Sequence, residues 1–117
     1  MRLRLLLLIV FAGCITPSIP IPPPDPSEME FHVGSDGVAL FTYPPTDAYQ
    51  GGTCYLFDRN QGHGVFELVH PDGSIGPLGV PAALGDQIVV SIDNDDQSVS
   101  SCVILQEGTQ DPNHYCQ

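Results

Sequence analysis

From Met29 onward the apolar residues of this chain recur with a period of two, and that spacing commits most of it to strands. In Met29-Glu-Phe-His-Val33 the apolar Met29, Phe31 and Val33 alternate with Glu30 and His32, and Ile88, Val90 and Ile92 alternate with Gln87, Ser91 and Asp93. Successive side chains of an extended chain point to opposite faces, so each run buries one face and wets the other. Similar short runs occupy Val38 to Tyr43, Thr53 to Phe57, Val65 to His70 and Val99 to Leu105. Between them lie Gly-Ser-Asp-Gly (34 to 37), Pro-Pro-Thr-Asp (44 to 47), Asp58 to Gly64, Pro-Asp-Gly (71 to 73) and Asp93 to Gln97, all of turn composition. The long stretch from Asp86 to Glu107 has no Pro or Gly, yet its seven Ile and Val residues and central acidic cluster predict a hairpin, not a helix. Six or seven short strands at this spacing predict an all-β fold, a small antiparallel β-sandwich over residues 27–117.

The chain ahead of that domain reads differently. Met1-Arg-Leu-Arg supplies a cationic start and Leu5 to Phe11 an unbroken apolar run, which is too short to span a bilayer before Gly13, Thr16 and Pro17 interrupt it. Residues 1–13 are therefore expected to be a signal peptide. Phe11-Ala12-Gly13-Cys14 closes the apolar run and resembles the bacterial lipobox, although Phe11 stands where that family usually has Leu. The resemblance implies that Cys14 becomes the mature N-terminus and carries diacylglycerol. The competing expectation is ordinary cleavage after Ala12. Residues 14–26 follow as a tether. Within it, Thr16 to Pro26 holds six prolines in 11 positions, each with φ fixed and no backbone donor, which predicts a semi-rigid polyproline II spacer of about 30 Å.

Charge narrows the functions open to the chain. There are 14 acids against three Lys and Arg. Arg2 and Arg4 belong to the leader, so beyond it Arg59 stands alone and the formal charge is 1 minus 14, or about −13. Nucleic-acid binding needs clustered cations and is excluded. Docking on anionic headgroups through a basic patch is excluded on the same ground.

The region from Gly64 to Leu105 resembles the bacterial immunoglobulin-like modules of surface proteins. The matching stretches are His70-Pro-Asp-Gly-Ser74, Pro81-Ala-Ala-Leu-Gly-Asp86, the alternating Ile88 to Asp93 and the acidic Asp93-Asn-Asp-Asp-Gln97. The resemblance implies an immunoglobulin-like sandwich with a role in spacing, display or adhesion, and it brings no catalytic residues.

Residues that could carry chemistry are few. With Cys14 acylated, Cys54, Cys102 and Cys116 share one disulfide and leave one thiol. Bridging Cys54 to Cys102 closes 49 residues for about 4 kcal/mol, and Cys102 to Cys116 closes 15 for about 3 kcal/mol. Cys54 with Cys116 is the third choice; the first is given slight precedence, and loop energetics do not decide. Gly73-Ser-Ile-Gly76 lacks the spacing of a nucleophile elbow. His32, His63, His70 and His114 fall in separate segments, with His114-Tyr-Cys116 the one ligand-like pair and no closed zinc set. Tyr43, Tyr49, Tyr55 and Tyr115 could form a sugar platform, although packing is the commoner use of such residues. Asp93, Asp95 and Asp96 offer oxygen ligands at a strand turn, so calcium is the cofactor to test there. The EF-hand pattern fails, because Ser98 and Ile104 stand at its sixth and twelfth positions. A solvated turn is the simpler account of these acids.

These features predict a non-enzymatic structural or interaction module in the bacterial cell envelope. It is expected to be held to the membrane by a lipid anchor and to meet an envelope protein partner. Ile15, where an Asp would suggest inner-membrane retention, points to the outer membrane. The alternative is a small periplasmic binding or inhibitor protein stabilised by calcium.

Overall fold

Two four-stranded antiparallel sheets pack face to face in the computed structural model of the chain, which describes residues 20–116. The leader, Cys14 and the start of the Pro-rich segment lie outside the described residues. The strands are β1 Glu30–Val33, β2 Val38–Tyr43, β3 Thr53–Asp58, β4 His63–Leu68, β5 Ile75–Pro81, β6 Gln87–Asn94, β7 Gln97–Ile104 and β8 Gly108–Thr109. One sheet has the order β5-β2-β1-β8 and the other β4-β3-β6-β7. The chain crosses between sheets after β2, β4, β5 and β7. That is the Greek-key order of an immunoglobulin-like sandwich with its fourth strand beside the third.

The alternation seen in the sequence is what fills the core. Phe31, Ala39, Phe41, Ile75 and Val80 point inward from one sheet, and Cys54, Leu56, Ile88, Val90, Ile92 and Val103 meet them from the other, all nearly inaccessible to solvent. The Asp86-to-Glu107 stretch is a hairpin, with β6 and β7 paired from Gln87↔Ile104 to Asn94↔Gln97. Its turn is shorter than expected, reduced to Asp95 and Asp96, with Asp95 in the left-handed region at φ 56°.

β5 lies outside the six runs picked out by alternation, because Gly76, Pro77, Gly79 and Pro81 interrupt its pattern. It forms because it is an edge strand, pairing only with β2 and needing half the usual donors. Gly76 sits at φ 88°, where a Cβ would strike the carbonyl oxygen of Phe41, so only glycine lets the two backbones approach. An eighth strand of two residues, β8, extends the same sheet beside β1. The loop behind it is held by the buried Gln110, whose side-chain amide donates to the carbonyls of Gln106 (2.7 Å) and Gly108 (2.9 Å).

The spacer reading needs correction over its second half, where the Pro-rich segment is part of the domain. Ile21 N–H donates to Gln97 Oε1 (2.8 Å), Tyr49 Oη to the Pro22 carbonyl (2.7 Å), Ser101 Oγ to the Pro24 carbonyl, and Asp25 N–H to Tyr43 Oη (3.1 Å). Prolines offer acceptors without donors, and three of these four bonds use hydroxyl groups of the domain to meet or anchor them. Burial raises the Tyr49 hydroxyl well above its ordinary pKa, so it stays a donor.

At the opposite end of β3, Asp58 is fully buried. Its Oδ1 accepts from Asn60 N–H (2.8 Å) and Gln61 N–H (2.9 Å), closing the β3–β4 turn, while Oδ2 meets no donor among the described residues. The neighbouring carboxyl of Asp86 accepts from Ala83 N–H (3.0 Å) and Gln61 Nε2 (2.8 Å). Burial and then Asp86 push Asp58 up, and the hydrogen bond from Asp58 holds Asp86 down. Of the two carboxyls, Asp58 is therefore the one that keeps its proton to higher pH. A carboxyl raised in the folded state contributes stability below its unfolded value that is lost as pH rises through the raised value. Stability measured by thermal melts from about pH 4 upward should therefore show this loss in the wild type and not in Asp58→Asn, whose amide keeps both contacts without titrating. Asp58→Ala should cost about 1–3 kcal/mol by leaving the turn's N–H groups unpaired.

Candidate interaction surface

Cys54 and Leu56 make the inner face of β3 apolar ahead of Asp58, and Tyr55 and Phe57 make its outer face apolar beyond Thr53. Cys54 and Leu56 face the core, while Tyr55 and Phe57 stand on the outer face, 40 % and 45 % exposed. Cross-strand pairing sets Tyr55 opposite Phe66 and Thr53 opposite Leu68. Phe66 and Leu68 are 69 % and 71 % exposed, and the Tyr55 and Phe66 rings lie 5.8 Å apart. On the other side of β3, half-buried Val89 stands beside Phe57, and the outer face turns polar next to Tyr55 and Thr53, with Ser91 and Asp93, then Ser98 and Ser100 on β7. The apolar patch thus gathers on β3 and β4, against the edge of the sheet. Large apolar side chains clustered in the open are a feature of contact surfaces, which makes this patch the candidate site.

Among the described residues, strand β4 has no hydrogen-bonded neighbour on its far side. Val69 N–H donates to the Gly52 carbonyl (2.9 Å), and the antiparallel register continues from there. In such a ladder alternate residues turn their backbone groups toward the partner strand. Glu67 and Val65 therefore bond to β3, and Leu68, Phe66 and Gly64 direct N–H and C=O groups outward. Side chains and backbone are offered by the same residues. The sequence held a signal for this surface, because a strand apolar on both faces is either covered on both or waiting to be.

The sequence-predicted site residues are dispersed. Cys102 and Cys116 form the disulfide, with Cα atoms 5.4 Å apart, on the outer edge of β7. Cys54, given slight precedence as the partner of Cys102, is instead buried and free, because its position on β3 points into the core while Cys102 points out. Burial, with a smaller contribution from Glu67, pushes its thiol up to about 12. Asp93 lies within β6 and Asp95 and Asp96 at the hairpin tip, and among the described residues no three His, Cys, Asp or Glu side chains gather to hold a metal ion. The tight β6–β7 register is the reason, since it leaves a turn too short to fold back on a cation. His32 pairs with Glu107 (3.0 Å), whose carboxyl is held down by Val33 N–H and then by His32. His70 Nε2 lies 2.9 Å from the Gly76 carbonyl. Tyr43 and Tyr49 are buried under the proline arm, Tyr55 lies on the outer patch and Tyr115 on the C-terminal tail, so the four tyrosines make no common platform. Two open clefts of about 430 and 320 Å³ beside the arm share Glu28, Tyr43 and Pro44.

No protein-family model, curated protein or solved structure matches this chain.

The cysteine arrangement is directly measurable. Alkylation of the native protein should leave Cys54 unlabelled, denaturation should expose one thiol among Cys54, Cys102 and Cys116, and reduction should expose all three. Native labelling of Cys54, or a mapped bridge other than Cys102 to Cys116, would contradict the placement.

Proposed function

We propose that this chain is a bacterial cell-envelope lipoprotein, anchored through acylated Cys14, whose immunoglobulin-like sandwich serves as an interaction module. The observation that supports an interaction role is the exposed Tyr55, Phe57, Phe66 and Leu68 patch beside the open β4 edge. Its role is binding, not catalysis. All 14 acids fall within the described residues, with Arg59 as their only Lys or Arg, so an envelope protein docking here would present an apolar centre with a basic rim. The leader and Phe11-Ala12-Gly13-Cys14 support the anchor.

Docking of the proline arm shortens the tether. From Cys14 to Pro20 there are six residue steps, which reach at most about 22 Å. Under this reading the domain is held close to the membrane, with the end bearing the Asp95 and Asp96 turn nearest the anchor, because Ile21 is bonded to Gln97 at that end.

Diacylglycerol supplies two chains, enough for stable anchoring where a single chain is marginal. The mature wild type should carry acyl mass and stay with membranes through a high-salt wash, and Cys14→Ser should move it to the soluble fraction. A mature wild-type mass without acyl groups would remove the anchor from the proposal.

A further inference from the structure

The two sheets have four edges, and three are closed to pairing. The edge of β7 is covered by the C-terminal tail, through the Val103↔Tyr115 bridge and Cys116 N–H to the Cys102 carbonyl (3.4 Å), and by the proline arm at Ser101 and Gln97. β8 is only two residues long. β5 carries Pro77 and Pro81, which have no N–H to give. Among the described residues, β4 is the edge strand of more than two residues with neither a proline nor a covering segment, and it is also the strand with exposed Phe66 and Leu68.

We propose that the β4 edge pairs antiparallel with the β4 edge of a second copy of this chain, about a two-fold axis at Val65, in the register that sets His63 against Glu67. This goes beyond the function proposed above and does not require the anchor. The register follows from three features. Gly64 and Phe66, whose backbone groups both point outward, oppose each other across the axis and can exchange ladder hydrogen bonds. The large Phe66 faces a glycine in the other copy, which leaves its ring room. Finally, Glu67 is the only carboxylate on the strand, partly exposed and in only a loose 3.8 Å contact with His70 of its own chain. A strand placing an apolar or acidic residue opposite Glu67 would be penalised, whereas a second copy places His63 there. The formal charge near −13 on each copy opposes association at long range, but beyond about 8 Å it is screened at physiological salt, and the His63 and Glu67 contact is much closer.

The test uses the full chain expressed in a bacterial envelope. In Val65→Cys the two new cysteines would face each other across the axis in a non-hydrogen-bonded pair, where Cα atoms approach to about 4.5 Å and a disulfide can form. Native Cys54 is buried and Cys102 and Cys116 are already bridged, so they do not compete. A reducible species of twice the mass is expected for Val65→Cys and not for Val99→Cys on the covered β7. Adding His63→Glu should reduce that species about tenfold or more by setting like charges together. Combining His63→Glu with Glu67→His should restore it, a recovery that damage to folding would not give. The absence of a double-mass species in Val65→Cys, or cross-linking that ignores the charge variants, would overturn the proposal. So would stronger cross-linking at Phe66→Cys, which marks a different register. Repeating the experiment in Cys14→Ser separates the two readings, since a lost anchor with cross-linking intact, or the reverse, shows which one fails.

Discussion

Backbone hydrogen bonding at the sheet edges is the constraint around which this domain is built. A sandwich buries the faces of its strands by packing, but each edge strand keeps a row of N–H and C=O groups that packing does not satisfy. The chain answers with a different device at each edge: a disulfide-tied tail and a proline arm on β7, brevity in β8, and prolines in β5. Each device is local. Together they leave β4 as the one edge on which another strand can be added, and they explain why residues far apart in sequence, from Ile21 to Cys116, crowd the β7 side.

The same chemistry runs through the proline arm. Its carbonyls are acceptors without neighbouring donors, and the domain supplies hydroxyls from Tyr49 and Ser101 to meet two of them. The Tyr43 ring lies 6.4 Å from Phe41 and 5.7 Å from Tyr49, so the contacts with the arm continue into the aromatic core. A segment that by composition is a spacer becomes a structural strap because its partners were placed on the domain. The bond from Ile21 N–H to Gln97 marks where spacer gives way to strap.

Much of the sandwich was legible because period-two alternation is a direct imprint of a half-buried strand. β2 matches its expected bounds, and β1, β3, β6 and β7 differ only at their ends. β5 was illegible because Gly76, Pro77, Gly79 and Pro81 are turn residues everywhere except on an edge, and edge position is a tertiary fact. The disulfide was undecided for a similar reason: spacing cannot say that Cys54 points inward and Cys102 outward, whereas register can. Asp58 shows a signal present but unread. It continues the inward series Cys54, Leu56, Asp58, so the same alternation that placed the core also placed a carboxyl at its end, where burial raises it above the ordinary carboxylate range.

Pairing through β4 has a geometric consequence for an anchored molecule. A two-fold axis between antiparallel strands runs perpendicular to the sheet, so it sends the two proline arms toward opposite ends of the pair while keeping both outer faces on the same side. Two copies anchored in one membrane therefore bring both arms to it only if the joined sheet lies parallel to the surface, with each tether spanning its limit of about 22 Å sideways and down. In that posture the Tyr55, Phe57, Phe66 and Leu68 patches of the two copies merge into one apolar surface, facing either the headgroups or away from them. Fourteen acids in each copy disfavour close contact with an anionic surface. The merged patch is then directed outward, so self-pairing would double the surface available to an envelope partner instead of consuming it.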